Sequence, residues 1–148
     1  MSCLETYATL RIFSDSVDPE TVGHALGFTG TDIRKIDPES KYRHERESHY
    51  WGWCSKPTVQ SIDNLEHVSA ITQRLAGKAN VLAALRARGC EIDICCYWVT
   101  SGQGGPELDV AALKRLSELE IGIWWDVYFG TEAEYADDVA APTGAAST

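Results

Sequence analysis

The stretch that decides the fold is CEIDICCYWVTSGQGGPELDVAALKRLSELEIGIWWDVYF, residues 90–129. Its first ten residues alternate, with Ile92, Ile94, Cys96 and Trp98 against Glu91, Asp93, Cys95 and Tyr97, which is the period of a strand. A glycine-rich connection with Pro106 follows over residues 101–107. Asp109 then stands as the cap of a helix whose apolar stripe reads Val110, Leu113, Leu116 and Leu119. Gly122 closes that helix. A second strand sets Ile123, Trp125, Val127 and Phe129 against Trp124, Asp126 and Tyr128. Strand, helix and strand in this order make a parallel pair joined by a right-handed crossover.

Upstream, residues 5–14 alternate again, with Ala8, Leu10 and Ile12 on one side and Tyr7, Thr9, Arg11 and Phe13 on the other. Asp18, Pro19 and Glu20 start a helix that Gly27 ends. A short strand is expected over residues 31–36 and a polar loop over residues 37–49. Residues 50–55 resume a strand with Trp51 and Trp53 on one face. Asp63 and Glu66 have capping-box-like spacing. Leu65, Val68, Ile71, Leu75, Ala79, Leu82 and Leu85 then hold one helical phase across Gly77, which predicts one long helix ending at Gly89. The order β-α-β-β-α-β-α-β is that of a ferredoxin-like split βαβ unit with an appended α-β. Handedness then places the fifth strand beside the fourth. The expected fold is α+β: a five-stranded mixed sheet, order 5-4-1-3-2, with three helices on one face. Residues 1–130 form its single domain, and residues 131–148 read as an acidic, disordered tail.

At 148 residues the chain is long enough for one real core, and its 44% hydrophobic and 24% charged content is that of a globular domain. Thirteen Lys and Arg against 22 Asp and Glu leave a net charge of -9, which repels phosphate backbones and excludes a general nucleic-acid binder. No segment has the apolar length of a membrane span, and the first residues lack the pattern of a secretory signal. Five cysteines, an odd number without framework spacing, read as reduced thiols of a cytoplasmic protein.

With helices on one side, the opposite face of the sheet stays open. It carries Tyr7, Thr9, Arg11, Asp93, Cys95, Tyr97, Trp124, Asp126 and Tyr128. Aromatics mixed with charges suit a contact surface. The candidate binding residues are Arg11, Asp93, Tyr97, Trp124, Asp126 and Tyr128. Trp124 and Tyr128 are the apolar anchors, with Arg11, Asp93 and Asp126 setting the polar register. Asp93 and Asp126, if adjacent, would share a proton and serve a small-ligand enzyme, the competing reading. A third reading is a homodimer with its function elsewhere.

Other chemistry is weaker. Ser101 to Gly105 resemble a phosphate cradle, but no Lys or Arg lies between Gly89 and Leu113, and Glu107 and Asp109 already fill the helix start with negative charge. His44, His49 and Cys54 lack the paired spacing of zinc ligands. A strand puts His49 and Cys54 on opposite faces, and Cys95 lies among carboxylates that raise its pKa. No cofactor, metal or catalytic residue is therefore assigned. The loop over residues 37–49 mixes Lys41, Arg43 and Arg46 with Glu39, Glu45 and Glu47; with Tyr42, Tyr50 and Trp51 it reads as a flap at the sheet margin.

Three stretches together carry a family resemblance: YATLRIFSDSVDPETVGHALG (residues 7–27), CYWVTSGQGGPELD (96–109) and LKRLSELEIGIWWDVYF (113–129). In order and spacing the chain resembles, over residues 7–129, the domain-of-unknown-function family numbered 4279, small and mostly bacterial proteins. The family pattern has Gly-Asp after a basic residue where this chain reads RKIDPES, so Ile36 departs from it. The resemblance implies no activity. It singles out Ser14, Asp15, Pro19, Tyr97, Gly105, Pro106, Asp126 and Tyr128 as recurrent positions. The combined expectation is a non-catalytic binding domain that uses the open face. Its partner is a protein (an immunity-type role capping a basic toxin fits size and charge), a small ligand or a second copy.

Overall fold

Alternation in the first strand sorts the whole molecule into a core side and an open side. The computed structural model describes residues 3–131, 133 and 134. Its strands are β1 (Cys3–Ser14), β2 (Asp32–Arg34), β3 (His49–Cys54), β4 (Glu91–Thr100) and β5 (Gly122–Phe129). They form one sheet in the order β2-β3-β1-β4-β5, the order anticipated from connection handedness. β1 runs antiparallel to both β3 and β4, β2 runs antiparallel to β3, and β5 runs parallel to β4. Ala8, Leu10 and Ile12 of β1, Trp51 and Trp53 of β3, and Ile94 and Cys96 of β4 are buried on the core side.

Among the described residues there are five helices where three are expected: α1 (Pro19–Leu26), α2 (Arg43–Glu47), α3 (Asn64–Arg74), α4 (Ala79–Ala87) and α5 (Val110–Leu119). All but α2 pack on the core side, contributing Val22, Leu26, Val68, Ile71, Leu75, Leu82, Leu85, Leu116 and Leu119 to one cluster. The caps are those the sequence announces. Asp18 accepts from the Glu20 N–H, Asp63 from Leu65 and Asp109 from Ala112.

The expected long helix is two helices. Gly77 takes a left-handed φ of 74°, and the chain turns through residues 75–78 before α4 begins. The apolar phase survives because α3 and α4 cover the same sheet, so periodicity alone reads them as one. In α5 the buried stripe is Ala112, Leu116 and Leu119 rather than one beginning at Val110 and Leu113. Those two are 81% and 52% exposed. Of the residues expected to face the helices, Val127 and Phe129 are 44% and 82% exposed, because the end of this edge strand runs past its helix cover. β2 is limited to three residues. The tail expected to be disordered lies almost wholly outside the described residues.

Two polar side chains in the first turn of α3 tie the helix to the sheet. Asn64, 3% exposed, donates to Thr6 Oγ1 at 3.0 Å and accepts from Trp125 Nε1 at 2.9 Å, so it links β1 to β5. His67, one turn on and 1% exposed, holds its Nε2 2.8 Å from the Ser61 carbonyl. A carbonyl only accepts, so Nε2 carries the proton and Nδ1 accepts the Ser55 hydroxyl at 2.6 Å. Ser55 Oγ in turn accepts the Ala8 N–H at 2.9 Å. Replacing Asn64 by Ala leaves the Trp125 N–H without its acceptor and should lower the unfolding free energy by about 1–3 kcal/mol. Urea denaturation followed by circular dichroism checks this against Asp63→Ala, whose lost cap should cost only ~1 kcal/mol.

Candidate functional site

Residues of β1 that alternate with the core set meet their cross-strand partners on the open face. Arg11 lies opposite Asp93 on β4 and Gly52 on β3, Tyr7 opposite Tyr97, and Phe13 opposite Tyr50. The Arg11 guanidinium donates through Nε and Nη2 to the two carboxylate oxygens of Asp93, at 2.8 and 2.7 Å. This bidentate hydrogen bonding pushes the Arg11 pKa further up. The same guanidinium lies 5.1 Å from the Phe13 ring centre and 5.0 Å from that of Trp124 on β5, within cation–π range of both.

Around this clamp the rings form two groups. Tyr7 stacks on Tyr97 with centres 4.8 Å apart, and Tyr97 meets Tyr128 at 5.1 Å. Phe13 meets Tyr50 at 5.1 Å. Each flank ends on a cation: Lys56 over Tyr7 at 5.2 Å and Arg34 over Tyr50 at 5.2 Å. Those cations are themselves paired, Lys56 with Glu5 at 2.7 Å and Arg34 with Glu45 at 3.7 Å. Tyr50 lies across the position of Gly52, where any Cβ would collide with the phenol. Burial pushes the Tyr50 pKa up to about 12, with Asp32 adding to the shift.

All six candidate residues lie on this face, but not as one cluster. Arg11, Asp93 and Trp124 form the central clamp, whereas Tyr97, Asp126 and Tyr128 form a second group. In that group the Tyr128 hydroxyl donates to Asp126 Oδ2 at 2.9 Å, which pushes the phenol pKa up. The two carboxylates thought adjacent are not. Asp93 faces Gly122 and Asp126 faces Tyr97, an offset of four positions along neighbouring strands, or about 13 Å at the strand rise. They are therefore not a carboxylate pair, and Asp93 is already engaged through both oxygens.

Cys95 lies between them, and burial, more than either aspartate, pushes its thiol pKa up. Cys96, on the core side, is pushed up to about 12 by burial. Neither is an activated nucleophile. Ser55 and His67 have the spacing of a nucleophile and base, but Ser55 is fully buried and the pair is closed on the backbone. His49 accepts the Ile36 N–H on Nδ1 at 3.1 Å, which fastens the start of the long loop. Among the described residues, no three His, Cys, Asp or Glu side chains gather closely enough to hold a metal ion.

The loop over residues 37–49 contains α2 and folds on itself. The Asp37 N–H donates to the Glu45 carbonyl at 2.9 Å, and Ser40 Oγ bonds the Glu45 carboxylate. α2 stands at the margin of the open face, where His44, Glu47 and Ser48 border a shallow hollow with Phe13, Asp15 and Glu91. Trp51, grouped with this flap from sequence, belongs instead to the core and is fully buried under Phe28. The glycine-rich connection lines a separate hollow of about 390 Å³ with Cys3, Asp63, Asn64 and Trp98. The adjoining start of α5 is occupied by its own Asp109 carboxylate, which leaves no free N-terminal site there.

A family model described as Domain of unknown function (DUF4279) matches residues 4–130. The chain belongs to the DUF4279 family. No curated protein and no solved structure matches it. Among the DUF4279 positions singled out from sequence, Ser14 Oγ accepts from the Ser16 and Val17 N–H groups and shapes the exit from β1. Pro19 opens α1, while Gly105 and Pro106 line the 390 Å³ hollow. Tyr97, Asp126 and Tyr128 meet on the open face. No helix among the described residues is long and apolar enough to cross a membrane.

The candidate set from sequence omitted Phe13, Tyr50, Arg34 and Lys56. The signal for Tyr50 was available, since inward Trp51 and Trp53 force Tyr50 and Gly52 outward. Arg34 and Lys56 carried none, because only cross-strand register places them. The raised Tyr50 pKa gives a prediction. The stability held by its neutral phenol is complete below the ordinary value of 10 and is lost as pH rises through about 12. Ultraviolet titration of the folded chain should therefore show fewer tyrosines ionising near pH 11 than after unfolding, and Tyr50→Phe should remove the step near pH 12.

Proposed function

We propose that the chain is a non-catalytic binding domain whose open aromatic and charged sheet face contacts a protein partner. The observation that carries this reading is the Arg11 clamp, a guanidinium fixed by Asp93 and flanked by the Phe13 and Trp124 rings. Side chains locked by their neighbours lose little conformational freedom on association, so rigid rings and a fixed guanidinium make favourable anchors. Trp124 and Tyr128 remain substantially exposed beside the clamp and serve as the apolar anchors. Asp126 and Asp93 supply the polar register.

Charge points to the partner's chemistry. A net charge of -9 favours a basic surface, and an immunity-type role, in which a small acidic protein caps a basic toxin, fits size and charge. The separation of Asp93 from Asp126 removes the feature that favoured a small-ligand enzyme on this face. The test is quantitative capture from lysate of the source cells by the immobilised wild-type chain and by the Trp124→Ala, Tyr128→Ala double variant. A protein retained by the wild type should be lost by at least about tenfold in the variant, as expected when two central anchors are removed. Equal retention by a variant of unchanged circular dichroism and melting temperature would dispose of the face.

A further inference from the structure

The hollow of about 390 Å³ between the glycine-rich connection and the start of α3 is distinct from the open face. β1 begins and β4 ends beside it, where Cys3 pairs with Thr100. Trp98 alternates with Tyr97 and so belongs to the helix side of β4. It lines the hollow and is only 4% exposed. Its indole N–H has no hydrogen-bond partner among the described residues. Asn64, the neighbouring amide in the same wall, is already engaged, accepting from Trp125 and donating to Thr6. Buried polar groups are ordinarily matched by protein, water or ligand. An unmatched indole donor in the wall of a hollow is therefore free to take an acceptor from whatever enters.

The other lining residues narrow the occupant. Asp63 and Glu107 are exposed there and have no ion-pair partner among the described residues, and no Lys, Arg or His lines the hollow. Asp63 spends Oδ1 on the Leu65 N–H, which leaves Oδ2 for an incoming donor. Burial, with Asp63 adding to it, pushes the Cys3 thiol pKa up, so this thiol stays neutral. Ile62 and Pro106 add apolar surface. The volume falls in the range of about 300–1,000 Å³ usual for small-molecule sites. We infer that this hollow binds a small primary amine that carries a neutral carbonyl oxygen beside its ammonium group. The ammonium group meets Asp63 and Glu107, and the carbonyl oxygen accepts the Trp98 N–H. A free carboxylate in place of that carbonyl would be repelled by the same two acids, so a zwitterionic amino acid fits poorly. This goes beyond the face reading, and no residue is shared between the two sites, so either stands or falls alone.

The experiment titrates the full chain, its tryptophans labelled with heavy nitrogen, with leucinamide and follows the indole N–H resonances. The resonance that disappears in Trp98→Phe should move downfield and saturate at millimolar leucinamide, as expected when this donor gains an acceptor. Isocaproamide, which lacks the amine, and leucine, which bears a carboxylate, should each bind roughly tenfold more weakly. The double variant Asp63→Asn, Glu107→Gln keeps a side-chain cap on α3 and should lose about tenfold in affinity for leucinamide. An unmoved Trp98 resonance would overturn the inference and leave water as the acceptor. Equal binding of isocaproamide, or unaltered binding by a double variant of unchanged circular dichroism, would overturn it as well.

Discussion

The register of β1 governs the rest of the molecule. Because β1 lies between two antiparallel neighbours, a slip of one residue would send Tyr7, Thr9 and Arg11 into the core and turn Ala8, Leu10 and Ile12 out to water. Burial of that apolar set sets the parity, and specific polar contacts fix the position. The Ser55 hydroxyl holds the Ala8 N–H, Asn64 holds Thr6, and Arg11 grips Asp93 across the strand pair. Two of these three contacts run through the start of α3, since His67 orients Ser55 and Asn64 belongs to the same turn. That one helical turn therefore places the sheet beneath the core and, by the same act, composes the opposite face.

The side chains of the open face hold one another in place. Its ionic groups are engaged with one another: Arg11 with Asp93, Lys56 with Glu5, Arg34 with Glu45. Surface pairs of this kind add little to stability. Their effect is to hold guanidinium and ammonium groups over the aromatic rings, so that the layer is ordered before anything meets it. Catalysis would call for a nucleophile or base with spare capacity. The thiols of Cys95 and Cys96 are pushed toward protonation by burial, and the Ser55–His67 pair is sealed inside. This ordered layer is what supports the binding role proposed above.

Strand identity and sheet order were legible because each rests on a strong local signal: period-two alternation for the strands, connection handedness for their order. Gly77 misled because apolar phase reports which face is buried and not whether the backbone is continuous. Val110 and Leu113 misled for the opposite reason: the stripe in α5 begins at Ala112, a small residue with weak hydrophobic weight. The Asp93–Asp126 distance depends on parallel register, which alternation leaves free in steps of two residues. Nothing in the sequence marks Asn64 and His67, and their burial follows only from where α3 lands on the sheet.

The clamp-ordered face is proposed to meet a different, basic protein. The most direct measurement is a native mass spectrum of the tagged chain, isolated gently from its own cells and again after stringent purification. One chain plus one polypeptide of different mass is expected in the first sample, and one bare chain in the second. A chain retaining only a small molecule, or a dimer persisting at low concentration in both samples, would contradict it.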